Sequence, residues 1–358
     1  MKVLYIYDKM PGLYQNYLRT LLDEIKKKVQ MKVLVYHKTN EADIVINSVG
    51  LSNKIQRVLF KLKLSKDNST DIKAMKSFPV IHIQHSYLKN KIYPFFTRVD
   101  GPKIVITLRG GDTYLKPWLS KQWRDFYNNK SSFIAAFVVM SEHQKKYLMR
   151  WGVASSKIHV IPISFGKKSL AKPKYPSSDK IRLVSAFRMT WEKNIEGCIK
   201  FAALLKEKNI PFSYDLYGDG RDLGQLYLLV DKYELSKEVT IHGSVANPIL
   251  KERLSSYDFF VQLSISEALP TSVLEAQSLG IPCIVSNSGG LPEAVINLKT
   301  AIVQEYDAIE SLVEQTVLLW KDKKRYFSYS EAAIKNCNTN FSTEIEANKL
   351  LELYTSLH

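Results

Sequence analysis

The sequence is poor in cysteine and lacks long apolar segments. Its three cysteines, Cys198, Cys283 and Cys337, are far apart and show no metal-ligand spacing. This predicts structural thiols in a reducing compartment. No run of about 18 apolar residues occurs, so no membrane-spanning helix is predicted. The first residues turn polar too quickly for a secretory signal peptide, and we therefore expect a cytoplasmic protein.

Acidic residues are in a clear minority. Lys and Arg number 51 against 35 Asp and Glu, which gives a formal net charge of +16. This balance predicts an anionic partner, either a nucleotide, a nucleic acid or a lipid headgroup. The length of 358 residues predicts two domains, and a hydrophobic content of 45% is ample for their cores.

The segment 259–285 carries the most informative pattern. It consists of two apolar runs, which predict consecutive buried strands, on either side of a predicted helix. Pro270, Thr271 and Ser272 are typical of the start of that helix, and a glycine followed by a proline is typical of its end. The segment is therefore interpreted as strand, loop, helix and strand.

Two carboxylates flank this helix start, Glu267 in the loop and Glu275 in the helix. In an open parallel sheet, ligands bind beyond the carboxyl ends of the strands, and a helix N-terminus suits a phosphate group. Carboxylates repel phosphate, but they accept hydrogen bonds from sugar hydroxyls. The alternative is one carboxylate that caps the helix and one that is solvated, and the spacing alone leaves both open.

A second candidate loop follows the predicted strand at residues 181–187 and carries Arg188 and Lys193. Two cations between a strand and the next helix can hold a diphosphate. Two solvated loop cations are the alternative. Further on, a short strand ends in a glycine turn at Val245, whose backbone could face a nucleotide base.

The first half of the chain also alternates strands and helices, which predicts a parallel sheet with helices on both faces. Gly12, after the first strand, would let a diphosphate approach the backbone, or it forms a plain turn. Arg109, Gly110 and Asp112 follow another strand. They would place a cation at a strand's carboxyl end, with glycines that let a ligand approach the backbone closely. Alternatively, they form a tight turn with an internal Arg–Asp pair.

Residues 54–76 form a basic amphipathic segment. Ile55, Val58, Leu59 and Leu62 lie at helical spacing among lysines and an arginine. Such a segment can lie on an anionic bilayer. It can equally be a surface helix that packs its apolar stripe on its own domain.

The order of these motifs resembles family 4 of the retaining nucleotide-sugar glycosyltransferases, which have the GT-B fold. The resemblance covers nearly the whole chain and is more specific in the second half. It rests on Arg188 with Lys193, Gly218-Asp219-Gly220, His242-Gly243-Ser244-Val245, Glu267 with Glu275-Ala276, Gly280 with Pro282, and Gly289-Gly290 with Glu293, and more weakly on Gly12, residues 107–112 and residues 158–162.

The resemblance implies an α/β architecture, with two Rossmann-like, doubly wound parallel-sheet domains facing a central cleft. It places an acceptor-binding domain at residues 1–168 and a linker at residues 169–180. A nucleotide-sugar-binding domain follows at residues 181–340. Residues 341–358 would form a helix that crosses back to the first domain.

The resemblance also implies roles for the charged candidates. Glu275 would bind the ribose hydroxyls of the donor, and Glu267 would bind hydroxyls of its sugar. Arg188 and Lys193 would bind the diphosphate. Arg188, Lys193 and Glu267 are therefore the expected catalytic group.

The remaining roles in the second half fall on backbone groups. Those around Leu269, Pro270, Thr271 and Ser272 would hold sugar and phosphate, and the turn at Val245 would hold the base. No cofactor and no divalent metal are expected, because cations and the helix dipole would stabilise the leaving group and no Asp-x-Asp element occurs.

The sequence departs from the family pattern at two places. Members often carry a His-Gly-x-Asp-like element where this chain has Arg109-Gly110-Gly111-Asp112, so a histidine role cannot be transferred. Arg109 indicates an anionic group on the acceptor or the donor instead. The usual Asn-Gly after the strand at residues 158–162 is replaced by Ile163-Ser164-Phe165-Gly166, which indicates a different hinge.

The expected function is retaining transfer of a sugar from a UDP- or GDP-sugar to a hydroxyl of a glycan or lipid-linked glycan, in bacterial cell-surface polysaccharide biosynthesis. The basic segment would contact the inner face of the plasma membrane. Nucleic acid is not an expected partner, because the cations are dispersed and no recognition motif occurs. A basic nucleic-acid-binding protein and a non-catalytic nucleotide-sugar-binding protein remain as alternatives.

Overall fold

The structure is a computed structural model that describes residues 1–12, 15–46, 51–65, 69–97 and 101–357. After the first strand the sequence predicts a helix from about Tyr14 to Lys28, and its start lies outside these residues. Lys66 of the basic segment and the side chain of Arg57 lie outside them as well. The chain divides into two compact units. Unit 1 contains Met1–Gly12, Leu18–Ile161 and Ala347–His358, and most of unit 2 is Pro162–Glu346.

In the described part of unit 1, seven strands form one parallel sheet. The strands are β1 (Lys2–Tyr7), β2 (Gln30–Val35), β3 (Ile44–Val45), β4 (Val80–Ile83), β5 (Lys103–Thr107), β6 (Ala136–Val139) and β7 (Ile158–Val160). Their spatial order is β3-β2-β1-β4-β5-β6-β7. The central strands are apolar and buried, as expected where helices cover both faces of a parallel sheet.

Seven described helices connect these strands. They are α1 (Asn16–Lys26), α2 (Leu51–Lys61), α3 (Thr70–Lys76), α4 (Gly111–Tyr114), α5 (Lys116–Leu119), α6 (Lys121–Lys130) and α7 (Glu142–Met149). Helix α7 has a local start signal, because its N-cap Ser141 accepts a hydrogen bond from Gln144 N–H.

Unit 2 repeats this architecture with a six-stranded parallel sheet. The strands are β8 (Ile181–Ala186), β9 (Phe212–Tyr217), β10 (Val239–Gly243), β11 (Phe259–Gln262), β12 (Cys283–Ser286) and β13 (Ala301–Gln304). Their spatial order is β10-β9-β8-β11-β12-β13. The remaining helices are α8 (Ile195–Glu207), α9 (Leu223–Lys232), α10 (Asn247–Leu254), α11 (Thr271–Ser278), α12 (Ile309–Lys321), α13 (Lys323–Asn340) and α14 (Thr343–Ser356).

Both sheets are doubly wound. In each unit the chain adds strands on one side of the first strand, returns to its other side, and continues outward. This is the strand order of the Rossmann type. The predicted fold class, with two Rossmann-like parallel-sheet domains, is confirmed.

The C-terminal half of α14 belongs to unit 1. The Tyr354 hydroxyl lies 2.5 Å from the Tyr5 hydroxyl and 2.5 Å from His82 Nδ1, and His82 Nε2 lies 2.7 Å from Thr107 Oγ1. Burial, and then the positive charge of Arg109, lowers the pKa of His82 to about 3. His82 is therefore a neutral structural residue that ties the last helix to β4 and β5.

The strands and longer helices were largely predictable, but several helices were not. The helices without a predicted counterpart are α3, α4, α5, α6, α10 and the long α13. Helices α4 and α5 have four residues each, which is too short for a helical period to be visible. Helix α13 is rich in polar residues, so its buried stripe is weakly marked.

Candidate active site

The winding of unit 2 reverses between β8 and β11. These strands are paired neighbours, with Leu183 opposite Phe259 and Val184 opposite Phe260, although two other strands lie between them along the chain. In open parallel sheets, ligands bind beyond the carboxyl ends of the strands at such a reversal. The loops after β8 and β11 are therefore the candidate site in this unit.

The loop after β8 is braced by the turn after β9. Met189 N–H donates to Asp219 O at 3.0 Å, and Met189 O accepts from Asp222 N–H at 3.0 Å. A Cβ on Gly220 would lie only 2.3 Å from Met189 O. The glycines of residues 218–220 are thus required for close approach of the backbones, and the turn supports the loop that carries the two predicted cations.

Lys193 and Glu267 form an ion pair in this site. The Lys193 ammonium contacts Glu267 Oε1, and the side chains are only 13% and 12% exposed. The same oxygen accepts hydrogen bonds from Gln262 Nε2 at 2.7 Å and from Ser264 Oγ at 3.3 Å. The structure therefore brings the cation of one loop and the carboxylate of the other into a single polar cluster.

The loop that carries Glu267 packs tightly against the turn after β12. Glu267 O accepts from Gly290 N–H at 2.8 Å, and a Cβ on Gly289 would lie 2.2 Å from the same oxygen. Gly289 also has a φ of +58°, which side chains disfavour. Ile265 N–H donates to Glu192 O at 2.8 Å. These contacts fix the Glu267 backbone against two neighbouring loops.

Helix α11 begins at Thr271, as predicted, but its start is not capped as expected. Pro270 occupies the N-cap position, and no side chain forms the cap hydrogen bond. Ser272 Oγ donates instead to Gln262 Oε1 at 3.0 Å. The first N–H groups of a helix have no intrahelical acceptor, so this end can receive an anion such as phosphate.

Glu275 lies on α11 and is 5% exposed. Its Oε1 accepts a hydrogen bond from Asn247 Nδ2 at 2.9 Å and lies 3.4 Å from Lys251 Nζ. Both partners are on α10. Among the described residues, none donates a hydrogen bond to Glu275 Oε2. One carboxylate oxygen is therefore held by the protein, and the other can accept from a ligand.

The other predicted residues of unit 2 lie around these loops. Arg188 is exposed, and none of the described residues forms a hydrogen bond or ion pair with its guanidinium. Val245 is half-buried in the connection between β10 and α10, and Leu269 is buried just before α11. The Arg188 guanidinium is thus free to bind an anion. The Lys193 ammonium, in contrast, would have to contact an anion and Glu267 at the same time.

Gly12, Arg109, Gly110 and Asp112 belong to unit 1 and are described separately. Gly12 is exposed, and a Cβ there would meet no atom within 4 Å. Asp112 is fully buried, and its carboxylate accepts from the N–H groups of Arg109 at 3.1 Å and Gly110 at 3.0 Å. Its contacts close the turn, so Asp112 is structural here, and a substrate-binding role for it stays a prediction.

Unit 2 is similar to a known protein family. Residues 167–336 match the family model described as glycosyl transferases group 1. Residues 167–336, here named the group 1 domain, are therefore similar to group 1 glycosyltransferases. This stretch contains all the candidate residues of unit 2 and covers just under half of the chain.

Two curated relatives are similar to part of this chain. The putative colanic acid biosynthesis glycosyltransferase WcaL of Escherichia coli is 28% identical over 46% of this chain and 41% of its own length. The N,N'-diacetylbacillosaminyl-diphospho-undecaprenol alpha-1,3-N-acetylgalactosaminyltransferase of Campylobacter jejuni is 26% identical over 64% of this chain and 62% of its own length. The chain thus spans less than two thirds of either relative.

The whole fold is similar to that of solved GT-B structures. HepE of Anabaena, crystallised in complex with UDP-glucose, superimposes with a TM-score of 0.74, at 14% identity, over 99% of this chain and all of that chain. At this identity the likeness establishes the fold, which is GT-B, and leaves the ligand of this chain to be argued from its own residues.

Four contact residues of the group 1 domain were missed by the sequence analysis: Asn247, Lys251, Gln262 and Ser264. Asn247 and Lys251 were overlooked together with α10, although proline after Asn247 is a common signal of a helix start. Gln262 ends an apolar run, where one polar residue carries little information. Its role becomes visible only because Gln262 bridges Glu267 and Ser272.

Proposed function

We propose that this chain is a retaining glycosyltransferase that moves a sugar from a UDP- or GDP-sugar to a hydroxyl of a glycan or lipid-linked glycan. The observation that carries the proposal is the cluster of Lys193, Glu267 and the uncapped start of α11. Arg188 lies on the same exit loop as Lys193, and its guanidinium has no partner among the described residues. Cations and free N–H groups suit a diphosphate, and carboxylates suit sugar hydroxyls.

Glu275 is assigned to the ribose of the donor. Asn247 and Lys251 hold its Oε1, which leaves Oε2 to accept from ribose hydroxyls. The turn at Val245 precedes Asn247 by two residues, so it is assigned to the base. Ribose and base are then recognised by neighbouring elements of unit 2.

Leaving-group stabilisation is assigned to Arg188 and Lys193. When the bond between the anomeric carbon and the diphosphate oxygen breaks, its electron pair goes to the diphosphate, and fixed positive charge lowers the energy of that transition state. The acceptor oxygen bonds to the anomeric carbon from the face that the diphosphate leaves, and its proton passes to the departing phosphate. No protein nucleophile takes part in this scheme, and the configuration is retained.

Glu267 is assigned to the donor sugar. Its Oε1 is shared among Lys193, Gln262 and Ser264, so the carboxylate is firmly oriented. A diphosphate that engages the Lys193 ammonium would compete with this pairing and leave Glu267 freer to accept from sugar hydroxyls.

The scheme needs no divalent metal, because Arg188, Lys193 and the start of α11 would stabilise the leaving diphosphate. We therefore expect the transfer rate to persist in EDTA.

The acceptor proposal draws support from the names of the relatives. WcaL is named for colanic acid biosynthesis, and the Campylobacter relative is named for transfer to a sugar on diphospho-undecaprenol. The second name thus describes a lipid-linked acceptor. The two names favour, for this chain, an acceptor in cell-surface polysaccharide assembly.

The donor assignment predicts stabilisation of the chain by nucleotide sugars. A ligand at a hundredfold excess over its Kd raises the free energy of unfolding by about 2.7 kcal/mol. Thermal unfolding measured across a panel of UDP- and GDP-sugars should therefore show an upward shift for one nucleotide class. No shift with any sugar nucleotide, together with nucleic-acid binding that weakens steeply with salt, would replace this proposal with the nucleic-acid alternative.

We also propose that the basic segment contacts an anionic membrane surface. Ile55, Val58, Leu62 and Leu64 are between 51% and 71% exposed, so most of the apolar stripe is not packed on unit 1. Residues 54–65 contain no acidic residue. Exposed aliphatic groups among cations are typical of helices that lie on anionic lipid. Within the part of the chain that the structure describes, no helix has the length and apolarity needed to cross a bilayer.

The membrane proposal predicts binding to vesicles that contain phosphatidylglycerol and little binding to phosphatidylcholine alone. Replacing Lys54 and Lys61 by Glu should weaken co-sedimentation by about tenfold or more, since each cation contributes about 1 kcal/mol near an anionic surface. The matched control is Lys323→Glu with Lys324→Glu, which changes the net charge equally in unit 2. Equal loss in both double variants would show that only net charge matters and would end this proposal.

A further inference from the structure

The sheet of unit 1 has its own reversal point, between β1 and β4. Gln84 directly follows β4, and Arg109 lies just after β5, which pairs with β4. The carboxyl ends of these strands are the expected ligand position of such a sheet. The topology therefore brings an amide and a guanidinium together at this edge.

The hydrogen bonding of these two side chains is incomplete. Arg109 Nη2 donates to Gln84 Oε1 at 3.1 Å. Because a guanidinium can only donate, this bond fixes the amide orientation and leaves Gln84 Nε2 as a donor. Gln84 Nε2 and Arg109 Nη1 are both buried without a hydrogen-bond partner among the described residues. A buried donor without an acceptor is destabilising unless a ligand supplies one.

Arg109 also lacks a counter-ion among the described residues. The carboxylate of Asp112 is occupied by the backbone N–H groups of Arg109 and Gly110 and by Ser86 Oγ. Gly110, with a φ of 109°, makes this turn possible. The guanidinium has one neutral hydrogen-bond partner, Gln84, among the described side chains, and a half-buried cation of this kind attracts an anion.

His85, which follows Gln84, does not supply a second cation. Burial lowers the pKa of His85, with Asp112 raising it and Arg109 lowering it further. His85 Nδ1 accepts from Tyr87 N–H at 3.3 Å, so a neutral His85 ring carries its proton on Nε2. The two buried side-chain atoms without a partner among the described residues here, Gln84 Nε2 and Arg109 Nη1, are both donors.

We propose that unit 1 binds an oxyanion, a carboxylate or a phosphate group carried by one of the two substrates, through Arg109 Nη1 and Gln84 Nε2. The identification of that group with a substrate rests on the proposed function. The diphosphate of the donor is assigned to unit 2, so this oxyanion is an additional group. It is either the carboxylate of an acidic donor sugar or an anionic group on the acceptor.

The test compares charged and neutral probes on the full chain. In the donor arm, calorimetry compares UDP-glucuronic acid with UDP-glucose. In the acceptor arm, NMR titration compares glucuronate and glucose 1-phosphate with glucose, with and without UDP. We expect the charged probe to bind about tenfold or more tightly in one arm, because hydrogen bonds to charged groups contribute about 1.5–3 kcal/mol. The arm that shows the preference identifies the substrate that carries the oxyanion.

Gln84→Glu is the decisive variant. It is nearly isosteric, supplies the missing counter-ion to Arg109, and replaces a donor with a negative charge, so it should fold and lose the preference for charged probes. Arg109→Gln should lose the preference as well, while Arg150→Gln, an exposed arginine of the same unit, should keep it. Equal binding of charged and neutral probes in both arms, or a preference that survives Gln84→Glu, would overturn the inference. Absence of UDP binding to the wild type would count against the proposed function alone. The glucuronate titration does not require UDP, so it would still measure oxyanion binding by unit 1.

Discussion

Lys193→Ala is expected to lower kcat by about 100- to 1,000-fold, the usual effect of removing one group that stabilises developing negative charge. Lys193 is held by its contact with Glu267 and by the brace around Met189. Its ammonium is therefore already in position before the reaction. Water molecules that fill its place in the variant would have to reorient to stabilise the leaving diphosphate, so they would lower the barrier less. Initial rates with the donor identified by thermal shift measure the effect.

This substitution also leaves Glu267 without its cation, so stability has to be separated from catalysis. Removing one partner of a buried ion pair is destabilising. The double variant Lys193→Met with Glu267→Gln restores neutrality and keeps an oxygen that can accept from Gln262 Nε2. We expect it to unfold near the wild-type temperature and to remain as inactive as the single variant.

The matched control for this series is Lys200→Ala, which removes an exposed lysine paired with Glu196 on α8. Its rate should equal that of the wild type, because exposed ion pairs contribute little. Recovery of the transfer rate in the neutral double variant would contradict the role assigned to Lys193.

Glu275→Ala is expected to raise the Kd of the sugar nucleotide by about 100-fold. The carboxylate would lose its bonds to the ribose hydroxyls, and each bond to a charged group contributes about 1.5–3 kcal/mol. The same change leaves Asn247 and Lys251 without their acceptor. Calorimetric titration with UDP alone measures the effect without requiring turnover.

Glu275→Gln and Glu252→Ala complete this experiment. The glutamine keeps one acceptor oxygen and should lose less affinity than the alanine. Glu252 is exposed on α10 beside Lys251, so its removal changes net charge in the same neighbourhood and should leave the Kd unchanged. Wild-type affinity in Glu275→Ala would remove this residue from the donor site.

Much of unit 2 could be read from local pattern. The apolar runs of β8, β9, β11 and β12 and the start of α11 are encoded within a few residues each, because strand burial and helix initiation depend on near neighbours. The candidate residues of its loops follow from the same pattern, since parallel sheets bind ligands at their carboxyl ends.

The partners of those residues could not be read in this way. Glu275 was identified, but its contacts with Asn247 and Lys251 depend on the packing of α10 against α11, and α10 itself was missed. Gln84 was not considered at all, because a single glutamine after an apolar run has no distinctive pattern. Its significance comes from one hydrogen bond to Arg109 and two donors left without acceptors.

The amino-acid sequence by itself determined two α/β domains of alternating strands and helices and the positions of the loops that carry charge, because these depend on periodicity and on turn and cap residues close in the chain. Only the tertiary structure decided which charges meet. Lys193 pairs with Glu267 because β8 and β11 are neighbours in the sheet although they are distant in sequence. The order of strands in the sheet determines such contacts, and no local sequence pattern specifies that order.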